Sequence, residues 1–161
     1  MNSSSVILLL GGNLGDRKAN LKTAACEIQK TIGAITVHSS LYESEAWGKM
    51  NQPDYLNQVL LVSTTLSPQE VLHQALKIEF NLGRIRMEKW GARVIDIDLL
   101  YFGDKVINSP SLVVPHPGIA MRRFVLAPLV EIVPDFIHPV LNKNHRQLLA
   151  ACDDRLTVNR I

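Results

Sequence analysis

Two aspartates in one apolar segment are the residues of this chain best suited to chemistry. Asp96 and Asp98 alternate with isoleucine and leucine within residues 94–100. On a strand, side chains two positions apart share a face and lie roughly 6–7 Å apart along it. Aspartate is disfavoured in strands, and two like charges on one face repel each other. A pair of Mg²⁺ ions shared with substrate phosphates would offset that repulsion, and a solvated face with Lys or Arg partners is the alternative.

The segment that leads into these aspartates is strongly basic. Residues 83–93 contain four cations, which are Arg84, Arg86, Lys89 and Arg93. Three of them are arginines, whose planar guanidinium groups suit phosphate oxygens. A charge run is usually a solvated surface, but cations and carboxylates that converge on one point are what a magnesium polyphosphate needs.

Three further motifs allow either a functional or a structural interpretation. Tyr55 can stack on a flat ring and Asn57 can pair with its donor–acceptor edge, although a half-buried strand start has the same pattern. His116 lies between two prolines and can contact either a phosphate or a backbone carbonyl. Residues 11–15, GGNLG, lack the G-K-[ST] ending of a phosphate loop, so they predict a turn that allows close ligand approach.

Composition limits the class of protein. The 161 residues are 47% hydrophobic and 20% charged, which predicts one folded domain over residues 1–161. The net charge of +2 suits an anionic ligand and gives no reason to expect nucleic acid. Cys26 and Cys152 have no metal or redox spacing, and the apolar run 6–10 is too short for a signal or a membrane span. These features predict a cytoplasmic protein with free thiols.

The order of predicted elements favours an α+β fold. Strands are predicted over residues 6–10, 35–41, 59–65 and 94–102, and helices over residues 21–32, 67–82, 122–132 and 146–152. Ser67 and Glu70 form a capping box, with a proline at the first helical position. A turn at residues 103–104 predicts a hairpin into residues 105–107. The prediction is a ferredoxin-like βαββαβ antiparallel sheet with helices on one face and a C-terminal extension.

Several motifs in this order resemble those of the 6-hydroxymethyl-7,8-dihydropterin pyrophosphokinase family. The longest is GR-x-R…KWGAR-x-x-DIDL over residues 83–99, and the others cover residues 11–15, 52–57, 114–117 and 122–124. The resemblance extends over nearly the whole chain. Two departures are Ala92 and Ala46, because the family often has proline at these positions. Both changes relax the backbone of a loop.

The resemblance implies a ferredoxin-like fold and an enzyme of folate biosynthesis. The implied reaction transfers pyrophosphate from ATP to the pterin hydroxymethyl group, with two Mg²⁺ ions on Asp96 and Asp98. Small molecules would be the only ligands, without nucleic acid or membrane, and a monomer is expected. The implied catalytic residues are Arg84, Arg93, Asp96 and Asp98.

The resemblance also implies two sets of binding residues. The ATP set is Glu79, Arg86, Trp90, Arg93, Leu99, His116 and Arg122. The pterin set is Ser44, Ala46, Trp47, Tyr55, Asn57, Trp90 and Phe124. Within the pterin set, Tyr55 and Phe124 match an aromatic pair on the two ring faces, and Trp90 matches a lid residue.

Two other functions use the same features. Ferredoxin-like sheets also carry RNA-recognition domains, but these need aromatic residues on the central strands, where this chain has aspartates. A metal-dependent phosphodiesterase would use Asp96 and Asp98 to activate water. Tyr55, Asn57 and Phe124 favour a flat organic acceptor instead.

Overall fold

The computed structural model describes residues 2–45, 53–83 and 94–161. The strands are β1 (Ser4–Gly12), β2 (Ala34–His38), β3 (Tyr42–Ser44), β4 (Tyr55–Thr64), β5 (Asp96–Phe102), β6 (Ile107–Asn108), β7 (Val113–Val114) and β8 (Val158–Arg160). The helices are α1 (Arg17–Thr31), α2 (Pro68–Asn81), α3 (Arg123–Ile132) and α4 (His145–Ala150), with a 3₁₀ turn at Ile119–Met121. Helices combined with an antiparallel sheet confirm the predicted α+β class.

One six-stranded sheet organises the described part of the chain. Its order is β5-β1-β4-β3-β8, and β2 pairs with β4 beside β3. Each recorded pairing in this sheet is antiparallel. β1 and β4 therefore lie at the centre, and β5 forms one edge.

The first core lies between the sheet and helices α1 and α2. Leu8 of β1 is buried there with Ile28 of α1 and Ile78 of α2. The predicted capping box of α2 is confirmed, because the Ser67 hydroxyl accepts from the Glu70 amide at 3.2 Å and the Glu70 carboxylate accepts from the Ser67 amide at 2.9 Å. These bonds satisfy donors that the first turn of a helix leaves open.

A second core covers the opposite face of the sheet through helix α3, so the prediction of helices on one face holds for α1 and α2 but not for the segment after β5. Ile7 and Leu9 of β1 are buried there with Leu126 and Leu129 of α3. The physical reason is that residues 6–10 are apolar at every position, and alternate side chains point to opposite faces. Both faces of this central strand need an apolar cover.

A β-bulge divides β5 into two parts. Leu8 pairs with Leu99 and Ile7 pairs with Tyr101, so Leu100 is an extra residue on β5. Leu99 packs in the first core, whereas both Leu100 and Tyr101 pack in the second. Before the bulge the strand alternates regularly, which confirms that the two half-buried aspartates share a face.

The chain after β5 departs from the predicted hairpin. Residues 103–104 form a turn, but Ile107 then pairs with Val114, so β6 forms a separate two-stranded sheet with β7. Two residues of pairing are too few for a sequence pattern to identify the partner. Among the described helices, none is both long enough and apolar enough to cross a membrane.

Candidate active site

Three strands bring an amide and a carboxylate to either side of one glycine. Gly11 of β1 pairs with Asn57 of β4 on one side and with Asp96 of β5 on the other. Neighbouring strands lie about 4.8 Å apart, so the backbones of Asn57 and Asp96 are separated by about 10 Å. Asp98 follows on the same face of β5, opposite Leu9.

The missing side chain of Gly11 leaves room for the Asn57 amide. A Cβ at Gly11 would lie 3.0 Å from Asn57 Oδ1. The Asn57 side chain is fixed from its other side, where Nδ2 donates to Ser44 Oγ at 2.8 Å and to the Tyr42 carbonyl at 3.4 Å. Both Asn57 and Ser44 are buried. The amide oxygen is therefore held towards the space above Gly11.

Glu79 lies on the other side of β5, on helix α2. Its carboxylate accepts from the Ile97 amide at 2.6 Å, and the residue is only 3% exposed. Leu99 also faces this side and packs in the first core. Leu99 and Glu79 are both predicted nucleotide contacts. The structure places Leu99 on the face of β5 opposite the aspartates and the Glu79 carboxylate at the outer edge of the strand.

His116 is oriented by its own turn. The Gly118 amide donates to His116 Nδ1 at 3.0 Å, so the ring proton is on Nε2 in the neutral form. The backbone amide of His116 donates to the Leu100 carbonyl at 2.9 Å, which ties the turn to β5. Burial lowers the pKa of His116, the charge of Asp98 opposes this shift, and the charge of Arg122 adds to it. His116 is thus a neutral Nε2–H donor near one of the aspartates.

Arg122 and Phe124 come to the site through the start of α3. A Cβ at Gly118 would lie 3.1 Å from Arg122 Cζ and 3.3 Å from His116 Cε1, so the absence of a side chain lets these two groups approach. Phe124 is half-buried in the first turn of α3 and packs against the second core. This core covers the same face of the sheet as the aspartates, because Leu9 belongs to it.

Six predicted site residues lie outside the described residues, and they are Arg84, Arg86, Trp90, Arg93, Ala46 and Trp47. The described members divide by position in the fold. One group lies on strands β3, β4 and β5 of one sheet, and its members are Ser44, Tyr55, Asn57, Asp96 and Asp98. The other group belongs to the segment before and within α3, and its members are His116, Arg122 and Phe124. Sequence reasoning missed Gly118, whose only signal was its place two residues after the histidine of a Pro-His-Pro motif.

The donor set suits a metal that is bound together with a phosphate ligand. Within residues 2–45, 53–83 and 94–161, no group of three or more His, Cys, Asp or Glu could hold an ion. Asp96 and Asp98 supply two half-buried carboxylates on one face. Mg²⁺ typically takes one or two carboxylates and completes its shell with water and substrate phosphates. The two aspartates therefore fit Mg²⁺ with a nucleotide and do not form an all-protein cage.

An apolar cavity of about 360 Å³ lies beside the His116 turn. Val106, Val113, Val140 and Leu141 contribute to its lining. His116 borders it, whereas none of the sheet residues of the candidate site belongs to the described lining. The cavity is therefore separate from the aspartates.

Comparison with protein families matches residues 7–134 to 7,8-dihydro-6-hydroxymethylpterin-pyrophosphokinase (HPPK). The chain belongs to the HPPK family. The match includes both aspartates, Asn57, His116 and Phe124.

Named relatives support the same membership. The chain is 44% identical over 140 residues to the 2-amino-4-hydroxy-6-hydroxymethyldihydropteridine pyrophosphokinase of Aquifex aeolicus, with 87% of each protein covered. It is 43% identical over 145 residues to the protein of that name from Synechocystis, where the alignment covers 89% of this chain and 74% of the relative. A third relative, the folic acid synthesis protein fol1 of Pneumocystis carinii, is 41% identical, but only 19% of its length is covered.

Solved HPPK-DHPS structures share the fold. A Plasmodium falciparum HPPK-DHPS triple mutant superposes with a TM-score of 0.76 at 18% identity, over 92% of this chain and 43% of that one. The wild-type protein gives a TM-score of 0.71 at 20% identity over 91% of this chain. The chain thus spans less than half the length of these proteins, and the likeness concerns the fold alone.

Proposed function

We propose that this chain transfers a pyrophosphoryl group from ATP to the hydroxymethyl oxygen of 6-hydroxymethyl-7,8-dihydropterin, with AMP as the leaving group. Membership of the HPPK family supports this reaction, and the names of its relatives describe it. The observation that carries the proposal is the row Asn57–Gly11–Asp96, which sets a hydrogen-bonding amide about 10 Å from a carboxylate across an open glycine. A bicyclic ring with a hydroxymethyl arm can reach from one to the other.

Acceptor recognition uses an aromatic pair and an amide. Tyr55 and Phe124 stack on the pterin faces, and each aromatic contact contributes about 1 kcal/mol beyond area burial. Asn57 reads the ring edge through Oδ1, because Nδ2 is already engaged by Ser44 Oγ at 2.8 Å. An acceptor oxygen there matches the amino and ring N–H groups of a pterin.

Asp96 and Asp98 would hold two Mg²⁺ ions together with the ATP phosphates. The bound ions would supply charge neutralisation and a lower pKa for the acceptor hydroxyl. The protein's own part is to fix both carboxylates on one face, on a strand whose Ile97 amide is held by Glu79.

His116 and Arg122 bind the nucleotide phosphates. The His116 imidazole is neutral and offers Nε2–H, because the Gly118 amide occupies Nδ1. Arg122 lies against the same turn and offers a permanent positive charge. We assign Arg84, Arg86 and Arg93 to the phosphates and Trp90 to both substrates, and Ala46 and Trp47 to the pterin. We assign Glu79, at the outer edge of β5, and Leu99, on its opposite face, to the adenosine.

Transfer is a single displacement. The bond from the acceptor oxygen to the β-phosphorus forms as the bond from that phosphorus to the α–β bridging oxygen breaks. The hydroxyl proton passes to solvent, and AMP leaves with the bridging oxygen. Because this step needs no covalent enzyme intermediate, positioning and electrostatic stabilisation account for the catalysis.

The remaining features of the proposal concern the molecule as a whole. We assign residues 1–161 to one monomeric pyrophosphokinase domain with ferredoxin-like topology, in the cytoplasm. The strand order β5-β1-β4 followed by β2 and β3 supports the topology. The comparisons support neither an RNA-binding module nor a phosphodiesterase.

The product identifies the reaction. Incubation with 6-hydroxymethyl-7,8-dihydropterin, ATP and Mg²⁺ should yield AMP and the pterin diphosphate in equal amounts. Anion-exchange chromatography and phosphorus NMR measure these products. ADP with a pterin monophosphate would refute pyrophosphoryl transfer. AMP and inorganic pyrophosphate without a pterin product would favour the phosphodiesterase.

A further inference from the structure

The start of helix α3 is capped by a residue from the far end of the chain. Asp154 accepts from the Arg123 amide at 2.9 Å through Oδ2 and from the Leu156 amide at 2.9 Å through Oδ1. Its backbone carbonyl accepts from Arg123 Nε at 3.3 Å. Asp154 is only 7% exposed, and Arg122, which occupies the N-cap position, makes no side-chain cap bond. Asp154 thus supplies the cap that the local sequence lacks.

The residues after Asp154 are bonded to Glu45 and to strand β3, which carries Ser44 of the candidate site. The Thr157 amide donates to the Glu45 carboxylate at 2.7 Å, and the Glu45 amide donates to the Thr157 carbonyl at 3.3 Å. Strand β8 then pairs with β3, with Val158 opposite Ser44. Ser44 is the residue whose hydroxyl accepts from the Asn57 amide.

Residues 154–160 therefore connect two structural parts that carry different pterin residues. One part is the first turn of α3 with Phe124, and the other is β3 with Ser44. We infer that Asp154 is a positioning residue for the acceptor site, because its carboxylate holds the first turn of α3, and with it the Phe124 ring, at a fixed distance from Asn57. This role rests on the proposed function, since Phe124 has to contact the pterin.

The effect should be selective for the acceptor. The Arg122 guanidinium also packs against the His116 turn, because a Cβ at Gly118 would lie 3.1 Å from its carbon. Phe124 depends on the helix start, because it lies in the first turn of α3. Loss of the cap should therefore displace the Phe124 ring more than the Arg122 charge.

The test compares Asp154→Ala and Asp154→Asn with Ser67→Ala. The control removes the cap of α2, and Ser67 is 12 residues, or about 18 Å of helix, from Glu79 at the other end. Calorimetric titration with 6-hydroxymethylpterin and, separately, with Mg²⁺ and a non-hydrolysable ATP analogue measures both affinities. Hydrogen exchange on the ligand-free protein measures the amides of Arg123, Val125 and Leu126.

Asp154→Ala should weaken pterin binding about tenfold, the equivalent of one lost cap of about 1.4 kcal/mol, and change nucleotide binding less than threefold. Asp154→Asn keeps one acceptor oxygen, which can retain the Arg123 bond but leaves its NH₂ group facing the Leu156 amide, so its pterin affinity should be intermediate. The α3 amides should exchange faster in Asp154→Ala than in the wild-type protein, and their exchange rates should be unchanged in Ser67→Ala. Ser67→Ala should leave both affinities unchanged.

Three results would overturn the inference: unchanged exchange in α3, faster exchange with unchanged pterin affinity, or equal losses for both ligands. If the wild-type protein binds no pterin, the proposed function fails, and the exchange measurement still shows whether Asp154 holds α3.

Discussion

The carboxylate of Glu79 accepts a hydrogen bond at 2.6 Å from the backbone amide of Ile97, the residue between the two aspartates. Among the described strands β5 lies at the edge of the sheet, so none of them pairs with this amide on its outer side. A buried carboxylate from α2 takes the place of a pairing strand. Glu79 thus fixes the backbone from which both aspartates project.

Glu79→Ala should lower stability and turnover together. It removes the acceptor of a buried amide, which costs about 1–3 kcal/mol. Glu79→Gln keeps an acceptor oxygen and should retain more of both properties. Urea unfolding and steady-state kinetics measure the two effects. A loss of stability with normal turnover in Glu79→Ala would show that the bond does not position the aspartates.

Gly11→Ala should reduce pterin affinity although alanine suits a strand better than glycine. Without a clash this change would add about 0.5–1 kcal/mol of stability. Here the new Cβ would lie 3.0 Å from Asn57 Oδ1, and the Asn57 amide is held by Ser44. The loss of stability caused by this contact should largely disappear when Asn57 is also replaced by alanine. A double-mutant cycle measured by urea unfolding tests this. Additive effects would contradict the steric explanation.

Asp96→Ala and Asp98→Ala should each remove most of the activity, because one carboxylate cannot position two ions. Both proteins should still fold and can gain stability from the lost repulsion. Asp104→Ala is the matched control, since Asp104 is exposed in the turn after β5. Turnover and thermal unfolding are measured at one Mg²⁺ concentration. Near-normal turnover by Asp96→Ala would contradict the assignment of the two aspartates as metal ligands.

Tyr55→Ala should weaken pterin binding about five- to tenfold, from a stacking contribution of about 1 kcal/mol. Nucleotide binding should change much less. Tyr55→Phe keeps the ring and should bind pterin nearly normally, which separates stacking from the hydroxyl. Titration calorimetry with each ligand is the measurement. Equal losses for pterin and nucleotide would indicate general disruption.

His145 is hydrogen-bonded to two groups in the second core. Its Nδ1 lies 2.7 Å from the Val133 carbonyl, which can only accept, so Nδ1 carries the proton and Nε2 accepts from the Tyr101 hydroxyl at 2.9 Å. Burial lowers the pKa of His145, the bond to Val133 opposes this, and the nearby His138 adds to it. The imidazole is therefore neutral in the folded protein.

Stability should fall as the pH drops through about 6.5, because the unfolded chain then binds a proton at His145 that the folded chain does not. His145→Gln should reduce the slope of unfolding free energy against pH by about 1.4 kcal/mol per pH unit below that point. His138, whose pKa is also lowered by burial, retains its share of the slope. Urea unfolding from pH 7.5 to pH 5 measures the slope. An unchanged slope would mean that His145 is charged in the fold.

Local signals predicted the parts of the fold that depend on local chemistry. The Ser67–Glu70 capping box identified α2, and strand alternation placed Asp96 and Asp98 on one face. Residues 35–41 alternate like one strand, but the structure separates β2 from β3. The Ser39 hydroxyl accepts from the Val59 amide at 2.9 Å within this break, a contact 20 residues away that no local pattern contains.

Contacts between residues far apart in the sequence explain the features of the fold that local patterns did not predict. β8 has three residues and only one of them is apolar, so nothing in residues 158–160 predicts that they pair with β3. The Asp154 cap likewise joins positions 31 residues apart. The second core was foreseeable, because the unbroken apolar run 6–10 has no polar face for solvent.

The extra residue in β5 has a consequence for how the family can vary in length at this point. Leu100 shifts the side-chain alternation between the aspartates and Phe102. Deleting Leu100 would restore regular alternation and leave the aspartates and Phe102 on their present faces, because Leu99 and Tyr101 already pair with successive residues of β1. The cost of that deletion is the Leu100 side chain, which is fully buried in the second core. The strand can therefore lose one residue at this point without exchanging its faces, provided that other side chains fill the space of Leu100 in the second core.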